Sequence, residues 1–180
     1  LPTVERLMVD ELPVIEKLLM FVGRSSVEGI NYTSIARNIG ITRYKSEQYV
    51  DLLAKAFVLH PIFPIGTNVL REPKVLFSLP YRLLYKNYLD AIGGIREDFF
   101  IECVRMIGLK VSYLKSTRGE KIPDYVIDIE GKEYVIEIGG KGKGREQFKG
   151  YHKKKSLILS QGGGVKGLKR PLFLMGFVRE

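Results

Sequence analysis

Cysteine and histidine are nearly missing from this chain of 180 residues, which has one cysteine, Cys103, and two histidines, His60 and His152. A lone thiol excludes an internal disulfide framework and a multi-cysteine zinc site, and makes a reducing cytoplasm the expected compartment. The two histidines are isolated in sequence, and their spacing makes no metal site. No run approaches the roughly 18 consecutive apolar residues of a membrane span. No signal or transit sequence is readable at the N-terminus, and the opening Leu1 in place of Met suggests a piece of a longer polypeptide. Gly-Lys is nowhere followed by Ser or Thr, so there is no Walker A loop and no nucleotide triphosphate site is expected.

What the chain does have is charge in one place. Residues 141–180 hold eleven of the 29 Lys and Arg but only two of the 20 Asp and Glu, so the whole net charge of +9 sits there. A basic field confined to one region is the footprint of a polyanion partner, DNA foremost, or RNA. A solvated lysine-rich surface is the alternative.

The first half predicts a small helical domain. Val14, Ile15, Leu18, Leu19 and Val22 recur at helical spacing and give an amphipathic helix over 11–22. Thr33 is the expected N-cap of a short helix over 34–38, with Gly40 as its stop. A third helix runs from Arg43 to about Phe57, punctuated by Tyr44, Gln48, Leu52 and Leu53. Segments 58–64 and 74–78 flank a loop with Pro64, Gly66, Thr67 and Asn68, and read as a β-hairpin. Helix, short helix, turn, longer helix and hairpin is the order of a winged helix. Arg43 and Lys45 then open a recognition helix and become candidate nucleic-acid contacts. This half is close to neutral, with 11 Lys and Arg against 9 Asp and Glu over 1–90, and protein docking is the other common use of such a surface. A helical stripe over 81–92 forms a joint broken by Gly93-Gly94, which places the domain boundary between 1–90 and 91–180.

The second half alternates helix and strand. Phe99, Phe100, Val104 and Ile107 share a helical face over 95–107, and residues 110–114 alternate like a strand, followed by a polar loop over 116–121. Residues 123–138 are the best-patterned segment, a hairpin around Gly131. With Glu130-Gly131 as the turn, Asp124 lies directly across from Glu137; with Gly131-Lys132, the two acids are diagonal neighbours. In both, Tyr125, Ile127, Ile129, Tyr134, Ile136 and Ile138 make the other, apolar face. Like charges in cross-strand contact destabilise a sheet unless a cation such as Mg²⁺ lies between them. A solvated acidic face, with Asp128 and Glu133 added, is the alternative reading.

After the hairpin, Gly139 to Arg145 alternates glycine and cation, a pattern that lets backbone and ammonium groups approach phosphates closely. Lys141, Lys143, Arg145, Lys149, Lys153 and Lys154 are the candidate phosphate contacts, the later ones on a basic helix over 145–155, with His152 as another phosphate-facing side chain. Residues 157–159 and 172–178 read as buried strands. Cys103 reads as a core thiol.

The order winged helix, joint, Glu97-Asp98 on a helix, Pro123-Asp124 and then Glu137 resembles the C-terminal region of archaeal-type AAA+ ATPases. There the ATPase core is followed by a winged helix and a restriction-endonuclease-like PD-(D/E)xK domain. The resemblance implies an α+β or α/β architecture, with a winged helix-turn-helix before a mixed sheet flanked by helices. It also implies an upstream ATPase domain in the same polypeptide. By position, Asp124 and Glu137 match the motif acids, and Glu97, or Glu102 one turn on, matches the helix acid. Glu97, Asp124 and Glu137 would then hold Mg²⁺ if the nuclease site is intact. The motif lysine falls on Gly139, and Lys141 or Lys143 would have to replace it. The functional expectation is a degenerate, non-catalytic nucleic-acid-binding region of the ATPase. A Mg²⁺-dependent nuclease using Asp124, Glu137 and Lys141, and a docking or homo-oligomerisation module, are the alternatives.

Overall fold

The computed structural model describes residues 9–66, 72–115, 122–140, 148, 155–162 and 164–178. The polar loop expected over 116–121 lies outside them. So do Lys141, Lys143, Arg145, Lys149, Lys153, Lys154 and His152, and with them most of the basic helix expected over 145–155. The chain is mixed α+β with two sheets, one of them mixed and five-stranded. It divides into two compact units, residues 1–61 with 72–94, and residues 62–71 with 95–180. The division follows Gly94 rather than residue 90, and it assigns 62–71 to the second unit.

In the first unit, helices α1 (Leu12–Arg24), α2 (Tyr32–Ile39) and α3 (Arg43–Lys55) surround an apolar core. Ile15, Leu18 and Val22 of α1 enter it, with Tyr32, Ile35, Tyr49, Val50 and Leu53 from the other two helices. Strands β1 (Leu59–Ile62) and β2 (Lys74–Phe77) pair as a two-stranded sheet and add Leu59, Val75 and Phe77. The cap of α2 is Asn31, not Thr33. Asn31 Oδ1 accepts from Ser34 N at 2.8 Å and Ser34 Oγ accepts from Asn31 N at 2.9 Å, a reciprocal box that starts the helix two residues early. Thr33 Oγ1 instead donates to Glu72 Oε1 at 2.7 Å. Gly40, at φ 77°, closes α2 as expected. In α3 the inward stripe is Ser46, Tyr49, Val50 and Leu53, whereas Tyr44 is exposed.

The glycine pair at 93–94 does not break the chain. A 3₁₀ turn, Tyr81–Leu84, is followed by a continuous helix α4 (Tyr88–Met106) that runs through both glycines. Two glycines inside a helix cost about 1 kcal/mol each relative to alanine. Gly94 has a packing reason, because a Cβ there would fall 2.6 Å from Nε of the fully buried Arg82. Gly93 faces open space.

In the second unit, strands β3 (Lys110–Tyr113), β4 (Tyr125–Ile129), β5 (Lys132–Gly139), β6 (Lys155–Ser160) and β7 (Lys169–Pro171) lie in sequence order in the sheet. The first three are antiparallel neighbours, while β5, β6 and β7 run parallel. Residues Phe63 to Ile65 lie along the outer edge of β3, where Ile65 N donates to Tyr113 O and Tyr113 N to Phe63 O. The strand expected over 172–178 is a 3₁₀ helix, Leu172–Phe177, and the strand in this region is β7. Pro171 lacks the N–H that would continue the ladder. Past it only Leu172 is buried, and Phe173, Leu174 and Phe177 are exposed. An unbroken apolar run carries no period by which to tell a strand from a helix.

Gly93→Ala is expected to stabilise the protein by about 0.5–1 kcal/mol through helix propensity. Gly94→Ala is expected to destabilise it by about 1–3 kcal/mol, because the added methyl displaces Arg82. Urea unfolding of the two variants checks this pair, and the same sign for both would contradict it.

Candidate functional site

The turn between β4 and β5 is Glu130-Gly131, with both residues in the left-handed region, at φ 53° and 74°. A two-residue turn of this hand matches the twist of the strands it joins. Asp128 Oδ1 accepts from Gly131 N at 2.8 Å and helps to hold it. The resulting register pairs Tyr125 with Ile136 and Asp128 with Glu133. This is the first of the two expected turns; the ladder ends at the Tyr125–Ile136 pair, and Asp124 is a bend residue just before β4, where the same register, continued one step, would bring it opposite Glu137. Paired residues share a face of the sheet. Val126 and Asp128 therefore lie on one face with Glu133, Val135 and Glu137, and Tyr125, Ile127, Ile129, Tyr134, Ile136 and Ile138 occupy the other.

Asp124 Oδ2 accepts from Ile138 N at 2.7 Å, which ties the start of β4 to the end of β5. Glu137 is buried. Its partner on β6 is Ile158, which packs with Val135 against the buried Phe148. Phe148 belongs to the sequence between β5 and β6, and so fixes one point of that connection on the face that carries Glu137.

Helix α4 lies on the opposite face. Phe100 packs on Tyr125 with ring centroids 5.4 Å apart, and Tyr125 OH donates to Glu97 Oε2 at 2.6 Å. Burial pushes the Tyr125 hydroxyl well above its ordinary pKa, and the negative charges of Glu97, Asp124 and Asp98 push it the same way. It stays protonated, as a donor must. Glu102, the other candidate helix acid, is felt instead at Cys103, a buried thiol whose pKa is raised by burial first and by Glu102 second. Glu97 thus reaches the hairpin through Tyr125, on the face opposite Glu137. Among the described residues no group of three or more His, Cys, Asp and Glu is gathered closely enough to hold a metal ion. The oxygen donors of Glu97, Asp124 and Glu137 suit Mg²⁺ chemically.

The same sheet end holds residues that no pattern singled out. Arg96 precedes Glu97 on α4 and its Nε donates to Gln161 Oε1 at 2.9 Å; Nη2 donates to the same oxygen. Gln161 follows β6, and its N–H donates to Gly139 O at 3.2 Å. A Cβ on Gly140 would lie 3.7 Å from Arg96 Nη1. A guanidinium therefore sits beside Gly140, just past the end of β5. Arg96 and Gln161 are 65 residues apart in sequence, and no local signal joins them.

The candidates on α3 are already occupied. Arg43 Nε lies 2.8 Å from Glu72 Oε1 and Nη1 lies 3.0 Å from Glu47 Oε2, with the guanidinium over the Tyr32 ring. Burial pushes the Glu72 carboxyl up, but hydrogen bonds from Arg43 and Thr33 outweigh it and hold the group below the usual range. Lys45 Nζ lies 2.7 Å from Glu11 Oε1 and donates to Tyr49 OH. Both cations at the start of α3 thus face carboxylates of the same unit.

No protein-family model matches the chain, and no curated protein or solved structure is found to be similar to it.

Tyr125→Phe removes the donor to Glu97 in a buried setting and is expected to cost about 1–2 kcal/mol of stability. Tyr134→Phe, whose hydroxyl meets only Lys155 at the exposed end of the hairpin, is expected to stay within about 0.5 kcal/mol of the parent. Denaturant midpoints of the two variants measure the difference, and equal losses would contradict the site geometry.

Proposed function

We propose that this chain is a non-catalytic nucleic-acid-binding region, with DNA as the first candidate, and that its second unit is a degenerate PD-(D/E)xK nuclease-like domain. The observation that carries the reading is the juxtaposition at one end of the five-stranded sheet. Asp124, bound to Ile138 N, and the buried Glu137 lie there at the start of β4 and the end of β5, and the chain leaves that end into residues 141–154, which contain six Lys and Arg against one Glu. Phosphate contacts by such a segment supply most of the affinity for a polyanion. Gly139 in the lysine position and the place of Glu97 on the face opposite Glu137 both favour binding without cleavage. Attachment to an upstream AAA+ ATPase, in a cytoplasmic setting, is part of the same proposal and rests on the resemblance alone.

The first unit reads as a winged helix used for docking to protein. Its ion-paired Arg43 and Lys45 support this, since each would have to leave a carboxylate before meeting a phosphate. Cleavage of DNA by a Mg²⁺-dependent site is the second reading, favoured by the presence of Asp124 and Glu137 at one end of the sheet.

Fluorescence anisotropy with short labelled duplex and single-stranded oligonucleotides, across about 50–300 mM salt, tests the proposal. Log affinity is expected to fall linearly with log salt, by about 0.9 per phosphate contact on a duplex. Replacing Lys141, Lys143, Lys153 and Lys154 together by Gln is expected to lower affinity at least tenfold and to flatten the slope. Arg43→Gln with Lys45→Gln is expected to change affinity less than twofold. Binding that ignores salt, or that is lost with Arg43 and Lys45, would overturn the reading. Plasmid cleavage with Mg²⁺ or Mn²⁺ that disappears in Asp124→Ala would replace it with the nuclease reading.

A further inference from the structure

The carboxyl ends of β5 and β6 meet the third turn of α4 at three residues, Gly140, Gln161 and Arg96. Each contributes something different. Gln161 is fixed by its backbone bond to Gly139 O, and its side-chain oxygen receives both Nε and Nη2 of Arg96. The guanidinium plane is thereby held in one orientation without being neutralised, because the partner is an amide and not a carboxylate. Among the described residues, Arg96 meets no carboxylate. This contrasts with Arg43 and Lys45, whose carboxylate partners are 2.7–3.0 Å away. Gly140 has no side chain beside the third nitrogen, where a Cβ would come into van der Waals contact with Nη1 at 3.7 Å and a larger side chain would crowd it.

A planar cation pre-oriented by a neutral acceptor, with an uncrowded N–H edge, is the arrangement that binds an oxyanion with little loss of side-chain entropy. Open α/β sheets also bind ligands outside the carboxyl ends of their strands, which is where β5 and β6 end here. We propose that Arg96, positioned by Gln161 and left uncrowded by Gly140, is a phosphate-binding residue, and that its ligand is one phosphodiester of the nucleic-acid backbone. It supplies from α4 a cation beside the strand end where Gly139 offers none. The assignment of a nucleic-acid phosphodiester rests on the nucleic-acid reading above, while oxyanion binding by Arg96 rests on the geometry alone.

Two measurements on the full chain test it. In the oligonucleotide titration, Arg96→Gln is expected to weaken binding about 5–20-fold and to lower the salt slope by about 1. Gly140→Val keeps every charge but crowds Nη1, and is expected to weaken binding about 3–10-fold. Gln161→Ala, which frees the guanidinium without removing it, is expected to cost about 2–4-fold. Wild-type affinity and slope in both Arg96→Gln and Gly140→Val would overturn the proposal while leaving the nucleic-acid reading intact. The second measurement follows the Arg96 Nε–Hε resonance by NMR during titration with inorganic pyrophosphate. A saturable shift that is lost in Gly140→Val supports an oxyanion site at Arg96, and the same shift without any oligonucleotide binding overturns the phosphodiester ligand together with the nucleic-acid reading. No shift up to about 20 mM overturns it.

Discussion

A reversal two residues long sets the chemistry available at the acidic end of the five-stranded sheet. Side chains alternate between faces with a period of two, so sliding β5 by one residue would carry Glu137 to the face that packs on α4. The register that avoids this is held by Glu130 and Gly131, both at positive φ, and by the Asp128 carboxylate on the Gly131 amide. Glu130 is a non-glycine residue in the left-handed region, a strain of about 1–2 kcal/mol. That cost is offset by what the register buries, Val126 against Val135 and Tyr125 against Ile136. Asp128 and Glu133 face each other at the exposed end, where water screens them. Asp124 and Glu137 lie at the end where the basic segment departs.

The same register separates two uses of acid. On the face of α4, Glu97 accepts from a buried tyrosine and belongs to the packing between helix and sheet. Just before β4, Asp124 binds the backbone of β5 and so keeps the two strand ends together. Both carboxylates are thus engaged by groups of their own unit. Cations are divided in a parallel way. Those at the start of α3 are satisfied by acids of their own unit, whereas Arg96 is steadied by an amide and keeps its charge.

How much of this was legible in the sequence follows from how local each cause is. The β4–β5 hairpin announced itself by strict alternation, and its apolar face was readable residue by residue. The choice between its two registers was not, because Glu-Gly lacks the Asn or Asp that normally marks such a turn. The passage of α4 through Gly93-Gly94 was hidden for another reason. Helix propensity argues for a break, and the compensation comes from Arg82, which meets Gly94 only in the folded chain. The C-terminal apolar run carried no period and was misjudged as a strand. Arg96 and Gln161 show the clearest limit, since nothing near either residue foretells the other.

The central claim is that nucleic acid lies across the strand ends of the second unit and not along α3 of the first. Backbone amide shifts of the isotopically labelled chain, followed while a short DNA duplex is added, test it most directly. The account predicts the largest changes at Ile138, Gly139, Gly140 and Gln161 and around Arg96 on α4. Changes concentrated at Thr42 to Gln48, with the ends of β5 and β6 unmoved, would contradict it.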